Sequence, residues 1–210
     1  MLDYEIKPEA VYSDGKPITC DDMVLAWASQ SGRFPSFDAA SRAGYTDIAT
    51  VDCTPGQKKA RVSFAQDRGF TDYGQLFAAT SMMPSHVIAD ELGLGDGGVT
   101  TALLNNDGPA VERIAQVWNN TWNLTPDLDL KRFPSSGPYR IDSVTGDGAV
   151  VLVANDKWWG TKPVTAKVTV WPRSADLQDR VNEGAFDVVD IAAGSSGTLN
   201  LPETTPGPTR

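Results

Sequence analysis

The stretch that most restricts the fold is Pro134 to Gly160, PSSGPYRIDSVTGDGAVVLVANDKWWG. Tyr139 to Val144 and Ala149 to Ala154 are rich in β-branched and apolar residues. Thr145, Gly146, Asp147 and Gly148 between them carry turn chemistry, so the pattern predicts a β-hairpin. Asn155 and Asp156 then break the second strand, Trp158 and Trp159 present two large aromatic faces, and Gly160 lets the chain turn. A β corner closed by an aromatic plug is the expected result.

Before the corner, Tyr4 to Val11 reads as an extended edge, and Ser13, Asp14, Gly15, Lys16 and Pro17 as a turn. Thr19 with Asp22 forms a capping-box variant, and Val24, Trp27, Ala28 and Ser31 share one face of the helix it opens, which Gly32 ends. Phe34 and Phe37 read as apolar pins in the following loop. Tyr45 to Cys53 and Lys58 to Gln66 read as strands joined at TPGQ, where Pro55 and Gly56 suit a type II turn. From Phe70 to Trp122 the pattern is helical: a short helix capped by Thr71 or Asp72 and ending at Ala79, another from Pro84 to Leu92, and an amphipathic one over Pro109 to Trp118. Gly93 to Gly98, GLGDGG, matches a dinucleotide fingerprint only in letters, because a helix rather than a strand precedes it, and it reads as a flexible loop. After the corner, Ala166 to Trp171, Ala175 to Glu183 capped by Ser174, and Phe186 to Ile191 read as strand, helix and strand. Such a βαβ unit is right-handed with parallel strands. The fold class is therefore α/β (mixed α+β), a mixed β-sheet flanked by helices, with residues 194–210 a Pro- and Gly-rich linker or tail.

A chain of 210 residues with 40% hydrophobic and 21% charged residues can bury a core. Its net charge of -9 opposes nucleic acid and anionic membranes as partners. Residues 1–9 lack the character of a signal peptide, and the opening suggests a piece of something longer. The single histidine, His86, falls in the first turn of a helix and reads as structural; no Ser-His-Asp or Cys-His arrangement can omit it. Asp21 with Asp22, Asp127 with Asp129, and Asp187 with Asp190 are the carboxylate pairs that could act at a glycosidic bond, but each also suits a helix start, a loop or a strand end. Trp27 and Trp118 lie on apolar helix faces and read as core. Cys20 and Cys53 lack the spacing of a redox pair and, with one histidine, the ligands of a zinc site. A disulfide and two buried thiols both remain open. No cofactor or metal is expected. Asn119 and Asn123 open N-x-T sequons.

The series YSDGKPITCDDMVLAW, MMPSHVI, SSGPYRI, VLVANDKWWG and VNEGAFDVVDI resembles the extracytoplasmic solute-binding proteins of the oligopeptide, dipeptide and nickel ABC-transporter class, family 5. The family's turn and acidic helix start match Ser13, Asp14, Gly15, Pro17, Thr19, Asp21 and Asp22. Its G-P-Y strand matches Gly137, Pro138 and Tyr139, its aromatic corner Asn155, Trp158, Trp159 and Gly160, and its helix-ending G-x-x-D Gly184 and Asp187. These motifs are structural, and the resemblance carries over no ligand-binding residue. It implies a periplasmic-binding-protein-like N-terminal lobe over residues 4–193, with an inserted subdomain roughly within 20–135 and a missing second lobe. It further implies a monomeric lipoprotein outside the membrane that captures a peptide or similar solute for an ABC permease, and no enzyme. Cys20 and Cys53 depart from the family's usual residues, which raises the case for a pair in an exported protein. The rival expectation is a carbohydrate-active enzyme or sugar-binding module.

Overall fold

Helix α1, Cys20–Gln30, is buried from Cys20 through Ser29. The one-faced pattern read from the sequence was too narrow. A helix covered all round carries small residues where neighbours approach, here Ala26, Ala28 and Ser29, and large ones between them. The Trp27 indole N–H donates to the Ile48 carbonyl at 3.3 Å, so the ring is tied into the core. The computed structural model describes residues 1–172 and 177–189. They fall into two units, Met1–Val170 and the segment from Trp171 onward.

One wall around α1 is an antiparallel sheet of β1 (Leu2–Glu5), β2 (Ile48–Asp52) and β3 (Lys59–Phe64) in the order β1-β3-β2. Ala60 and Val62 face inward, while Lys59 and Arg61 face water and pair across the strands with Glu5 and Asp3. The ladder ends at Glu5↔Lys59, short of the extended run expected to reach Val11, because Pro8 lacks an N–H and the chain turns there. Gly56, at φ +80°, and the Gln57 N–H to Thr54 carbonyl bond of 3.0 Å give the TPGQ turn its type II form.

Helices α2 (Ser85–Leu92), α3 (Gly98–Leu104) and α4 (Gly108–Thr121) complete the core with Ile88, Leu103 and Ile114. The Asp107 carboxylate caps α4 by accepting from the Ala110 N–H. Phe37 is buried edge-on against Trp118 at 5.7 Å and pins its loop as expected. The helix expected to reach Ala79 does not form; only a 3-10 turn over Tyr73–Gln75 is present. Gly74 weakens it, and Phe77 takes φ +56° while its N–H donates to the Tyr45 hydroxyl at 2.8 Å. A tertiary bond thus replaces the helical one.

The GLGDGG run is a loop, and it is wedged. Gly93, Gly95 and Gly97 all have positive φ, and a Cβ on Gly97 would lie 2.5 Å from the Pro55 Cβ. Gly97→Ala is expected to destabilise the chain by roughly 1 to 3 kcal/mol through backbone strain alone, with the Pro55 collision added. Gly95→Ala, at the same φ of +70° but in open space, isolates the backbone part. Urea denaturation of both variants checks this, and equal losses would remove Pro55 from the explanation.

The second sheet, β4 (Tyr139–Val144), β5 (Val150–Ala154) and β6 (Lys167–Val170), is the expected hairpin plus one strand, ordered β4-β5-β6. Thr145 closes the turn: its N–H donates to the Ala149 carbonyl at 2.9 Å and its hydroxyl accepts from the Ala149 N–H at 3.0 Å. All its pairings are antiparallel. Helices and sheets are both present as expected, but the single mixed sheet is replaced by two antiparallel ones among the described residues. A parallel strand needs a neighbour aligned along its whole ladder. Residues 186–189 form no strand, and Val188 is exposed. In the second unit α5 (Leu177–Asn182) is present, Gly184 ends it at φ +68°, and Asp187 is exposed. Trp171 there meets Phe186 and carries the Arg180 guanidinium 4.5 Å over its ring. Ser174, Asp190, Ile191 and residues 194–210 lie outside the described residues.

Candidate functional site

The first motif builds a polar node. Ser13 donates its N–H to the Ser135 carbonyl at 2.8 Å and accepts the Ser135 N–H on its hydroxyl at 2.9 Å, tying the turn to the segment before β4. Asp14 accepts the Lys16 N–H on one oxygen and meets the His86 Nε2 at 2.8 Å with the other. Gly15 takes φ +88°, and Pro17 bridges to Val11. Thr19 caps α1, its hydroxyl accepting from the Asp21 N–H while Asp22 accepts the Thr19 N–H at 2.9 Å.

Asp22 reaches further than a cap. Its second oxygen accepts both the N–H and the hydroxyl of Ser85 at 2.8 Å, so one carboxylate holds the starts of α1 and α2 together. Burial, the largest cause, raises its pKa, against the pull of the Ser85 and Thr19 donors and of His86. The Tyr12 hydroxyl is buried without a well-formed hydrogen bond; burial first, then the Asp22 charge, pushes its ionisation well above the ordinary range. Lys58 donates to the Ala10 carbonyl at 2.5 Å, and burial lowers its pKa. The neighbouring Asp21 accepts from the Thr19 hydroxyl at 2.8 Å, the Gly56 N–H at 2.6 Å and the Thr100 hydroxyl at 2.5 Å.

The aromatic corner is assembled by Asn155, which is buried. Its side-chain amide donates to the Gly137 carbonyl and its N–H to the Pro138 carbonyl, each at 2.8 Å, so the G-P-Y and N-x-x-W-W-G motifs meet. The Tyr139 hydroxyl donates to the Thr165 carbonyl, and the Trp158 indole to that of Thr161. The Trp158 and Trp159 rings lie 4.6 Å apart, and a Cβ on Gly160 would meet the Trp158 ring at 2.5 Å. Trp159 packs on Ala10, Tyr12 and Ile18 and carries the Lys7 ammonium 5.1 Å over its ring. Gly184 and Asp187 belong to the second unit.

Cys20 and Cys53 are joined by a disulfide, with Cα atoms 5.7 Å apart. Their sulfurs and an Asp21 oxygen lie within 4.8 Å of one another, but a sulfur spent in a disulfide is no thiolate ligand, which leaves Asp21 alone. Of the carboxylate pairs of the glycosidase reading, Asp21 and Asp22 are committed to buried donors and Asp129 to the cap of a 3-10 turn, while Asp127 and Asp187 are exposed and Asp190 lies outside the described residues. Trp27 and Trp118 lie in or against the core, as expected. The Asn119 side chain is taken up by Ser36 and Asp38.

Two depressions stand out among the described residues. One, about 840 Å³, is open and lies over the wet side of the first sheet, where Asp3 and Arg61 pair with each other. The other, about 260 Å³, is bounded by the turn at Lys16, the TPGQ turn, the start of α2 and the glycine loop. Ser85, Thr100 and Lys58 were not legible from the sequence as members of these networks. Only Ser85, directly after Pro84 at a helix start, carried a signal that could have been used.

This arrangement of helices, two sheets and an aromatic corner is the fold of solute-binding proteins. The periplasmic EDTA-binding protein EppA superposes with a TM-score of 0.63 over 88% of this chain and 30% of its own, at 24% identity. The oligopeptide-binding protein AppA from Bacillus subtilis, in complex with a nonapeptide, gives 0.60 over 87% and 31%, at 20% identity. The chain belongs to the bacterial extracellular solute-binding proteins, family 5, whose middle region matches residues 2–206. It is 64% identical over 208 residues to an uncharacterized lipoprotein of Mycobacterium tuberculosis strain H37Rv, covering 97% of this chain and 37% of the relative. It is 27% identical to the oligopeptide-binding protein OppA of Mycobacterium bovis, covering 94% and 30%. The chain thus spans about a third of the length of the curated relatives it matches. Among the described residues no helix is long and apolar enough to cross a membrane.

Proposed function

We propose that residues 4–193 are the N-terminal lobe of the substrate-binding component of an ABC importer, with an inserted subdomain roughly within 20–135 and residues 194–210 leading toward a second lobe. The family match over residues 2–206, in relatives about three times as long, carries this reading. The complete protein works outside the cytoplasmic membrane, anchored as a lipoprotein and monomeric, and delivers its cargo to a permease. The oligopeptide-binding relatives support a peptide or similar small solute as that cargo. The reading contains no catalytic step; among the described residues the buried Asp21 and Asp22 carboxylates are both held by structural donors.

In this reading Ser13, Asp14, Asp22, Asn155 and the tryptophan pair give the lobe its rigidity, and closure of the two lobes supplies the cleft that excludes water. The full-length protein is expected to bind oligopeptides at least about 100-fold more tightly than the 210-residue chain, because half a cleft encloses little ligand. Isothermal titration of both with one peptide mixture checks this. Equal affinity would sink the two-lobe reading.

A further inference from the structure

The bridge between Cys20 and Cys53 sits among more ligating atoms than a bridge needs. Both sulfurs and an Asp21 oxygen lie within 4.8 Å of one another, and the Thr54 carbonyl oxygen is 3.2 Å from the Cys20 sulfur. Asp21 is buried, and donors fix both its oxygens: the Thr100 hydroxyl meets Oδ1 at 2.5 Å, while the Thr19 hydroxyl and the Gly56 N–H meet Oδ2 at 2.8 and 2.6 Å. Carboxylates that ligate metals are oriented by hydrogen bonds in this way. Cys20 is fully buried at the first turn of α1, whereas Cys53 is half-buried and lines the open depression of about 840 Å³. Solutes therefore reach the cluster past Cys53.

We propose that, once a dithiol reductant opens the bridge, Cys20, Cys53, Asp21 and the Thr54 carbonyl bind one thiophilic divalent cation of the zinc type. Reduction runs by exchange: a thiolate of the reductant attacks the Cys53 sulfur, the S–S bond breaks, and Cys20 leaves with the electron pair and takes up a proton. The reductant's second thiolate then attacks its own first sulfur, which releases Cys53 to take up the second proton, and the reductant departs as a disulfide. The incoming cation displaces both protons and is held by two thiolates, a carboxylate and a carbonyl. Without those protons all four groups are acceptors, and packed this closely they call for a positive charge. Thiolates select a soft ion, and two sulfurs with two oxygens suit a tetrahedral four-coordinate site. Zn–S bonds of about 2.3 Å place the sulfurs about 3.8 Å apart. Side chains whose Cα atoms are 5.7 Å apart open to that separation by rotation about the Cys53 Cα–Cβ bond. The same two positions thus staple the chain when oxidised and hold a metal when reduced. The site lies between the start of α1 and the TPGQ turn, within this chain, and does not rest on the importer reading.

The test reduces the 210-residue chain with dithiothreitol, removes the reductant under exclusion of air and adds cadmium, whose bonds to thiolate absorb in the ultraviolet. The band is expected to saturate at about one cadmium per chain, with a dissociation constant in about the micromolar range or below, and zinc should abolish it by displacement. The oxidised chain should give no band, and Cys53→Ser should lose it. Asp21→Asn should weaken cadmium binding at least about tenfold with both sulfurs still in place. Zinc should also raise the melting temperature of the reduced chain by about 5 °C or more and leave that of the oxidised chain unchanged. Native amide shifts around residues 54–57 in oxidised Asp21→Asn establish that this variant folds. If it does not, the zinc-dependent melting shift, expected in the reduced chain and absent in Cys53→Ser, decides alone. No saturable band, a band of undiminished affinity in Cys53→Ser, or no melting shift with zinc would overturn the site. So would an affinity indifferent to Asp21→Asn, because two loose thiols bind cadmium without the carboxylate.

Discussion

Asp22→Ala is expected to be the most damaging single substitution, costing roughly 3 to 5 kcal/mol and lowering the melting temperature by roughly 10 °C or more. The Asp22 carboxylate is 1% exposed and accepts from the Thr19 N–H, the Ser85 N–H and the Ser85 hydroxyl. Removing it leaves these donors dry and unpaired, and each such group costs about 1 to 3 kcal/mol. It also releases the start of α2 from that of α1, so the loss reaches two elements. Asp22→Asn keeps the size and one acceptor and should cost less.

The same group gives a pH signature. Burial raises the folded-state pKa of Asp22 above its ordinary value, so the folded chain holds this proton more firmly than the unfolded chain. The stabilisation from Asp22 is therefore complete below the ordinary carboxylate pKa and fades as pH rises through the raised value. Asp22→Ala should cost more near pH 4 than near pH 7. Urea unfolding of wild type and variant at both values measures the gap, and a larger loss at neutral pH would contradict the assignment.

Replacing both cysteines, Cys20→Ala with Cys53→Ala, is expected to cost roughly 3 to 4 kcal/mol, since the bridge closes a loop of 33 residues whose entropy in the unfolded chain it limits. The local fold should survive. The Cys20 N–H still donates to the Gln57 carbonyl at 2.8 Å, and Asp21 still holds the Gly56 N–H. The loss should thus appear as a lower denaturation midpoint with native amide shifts around residues 54–57 retained. Wild type under reductant should show the same displacement, and a change below about 1 kcal/mol would mean that the bridge adds little to stability.

Much of the architecture was legible in the residues because its signals are local. The hairpin at Tyr139 to Ala154, the type II turn at Pro55 and Gly56, the Thr19 cap and the four-residue alternation in β3 each follow from backbone conformation or side-chain period within a few positions. The helix expected after Asp72 failed for a nonlocal reason, the Tyr45 hydroxyl taking the Phe77 N–H. The expected parallel pairing is absent among the described residues for another: strand partnership is a choice among segments, and alternation marks a strand without naming its neighbour.

What the amino-acid order settled by itself was the set of turns, caps and buried faces, and through its motifs the family. Which distant groups share a carboxylate was decided only in three dimensions. Asp22 meets Ser85 from 63 positions away, Asp21 meets Thr100 from 79, and Ser13 meets Ser135 from 122. Nothing in a local pattern encodes such pairings. A buried charge must find donors wherever packing brings them, and the packing of whole helices around α1 determines which they are.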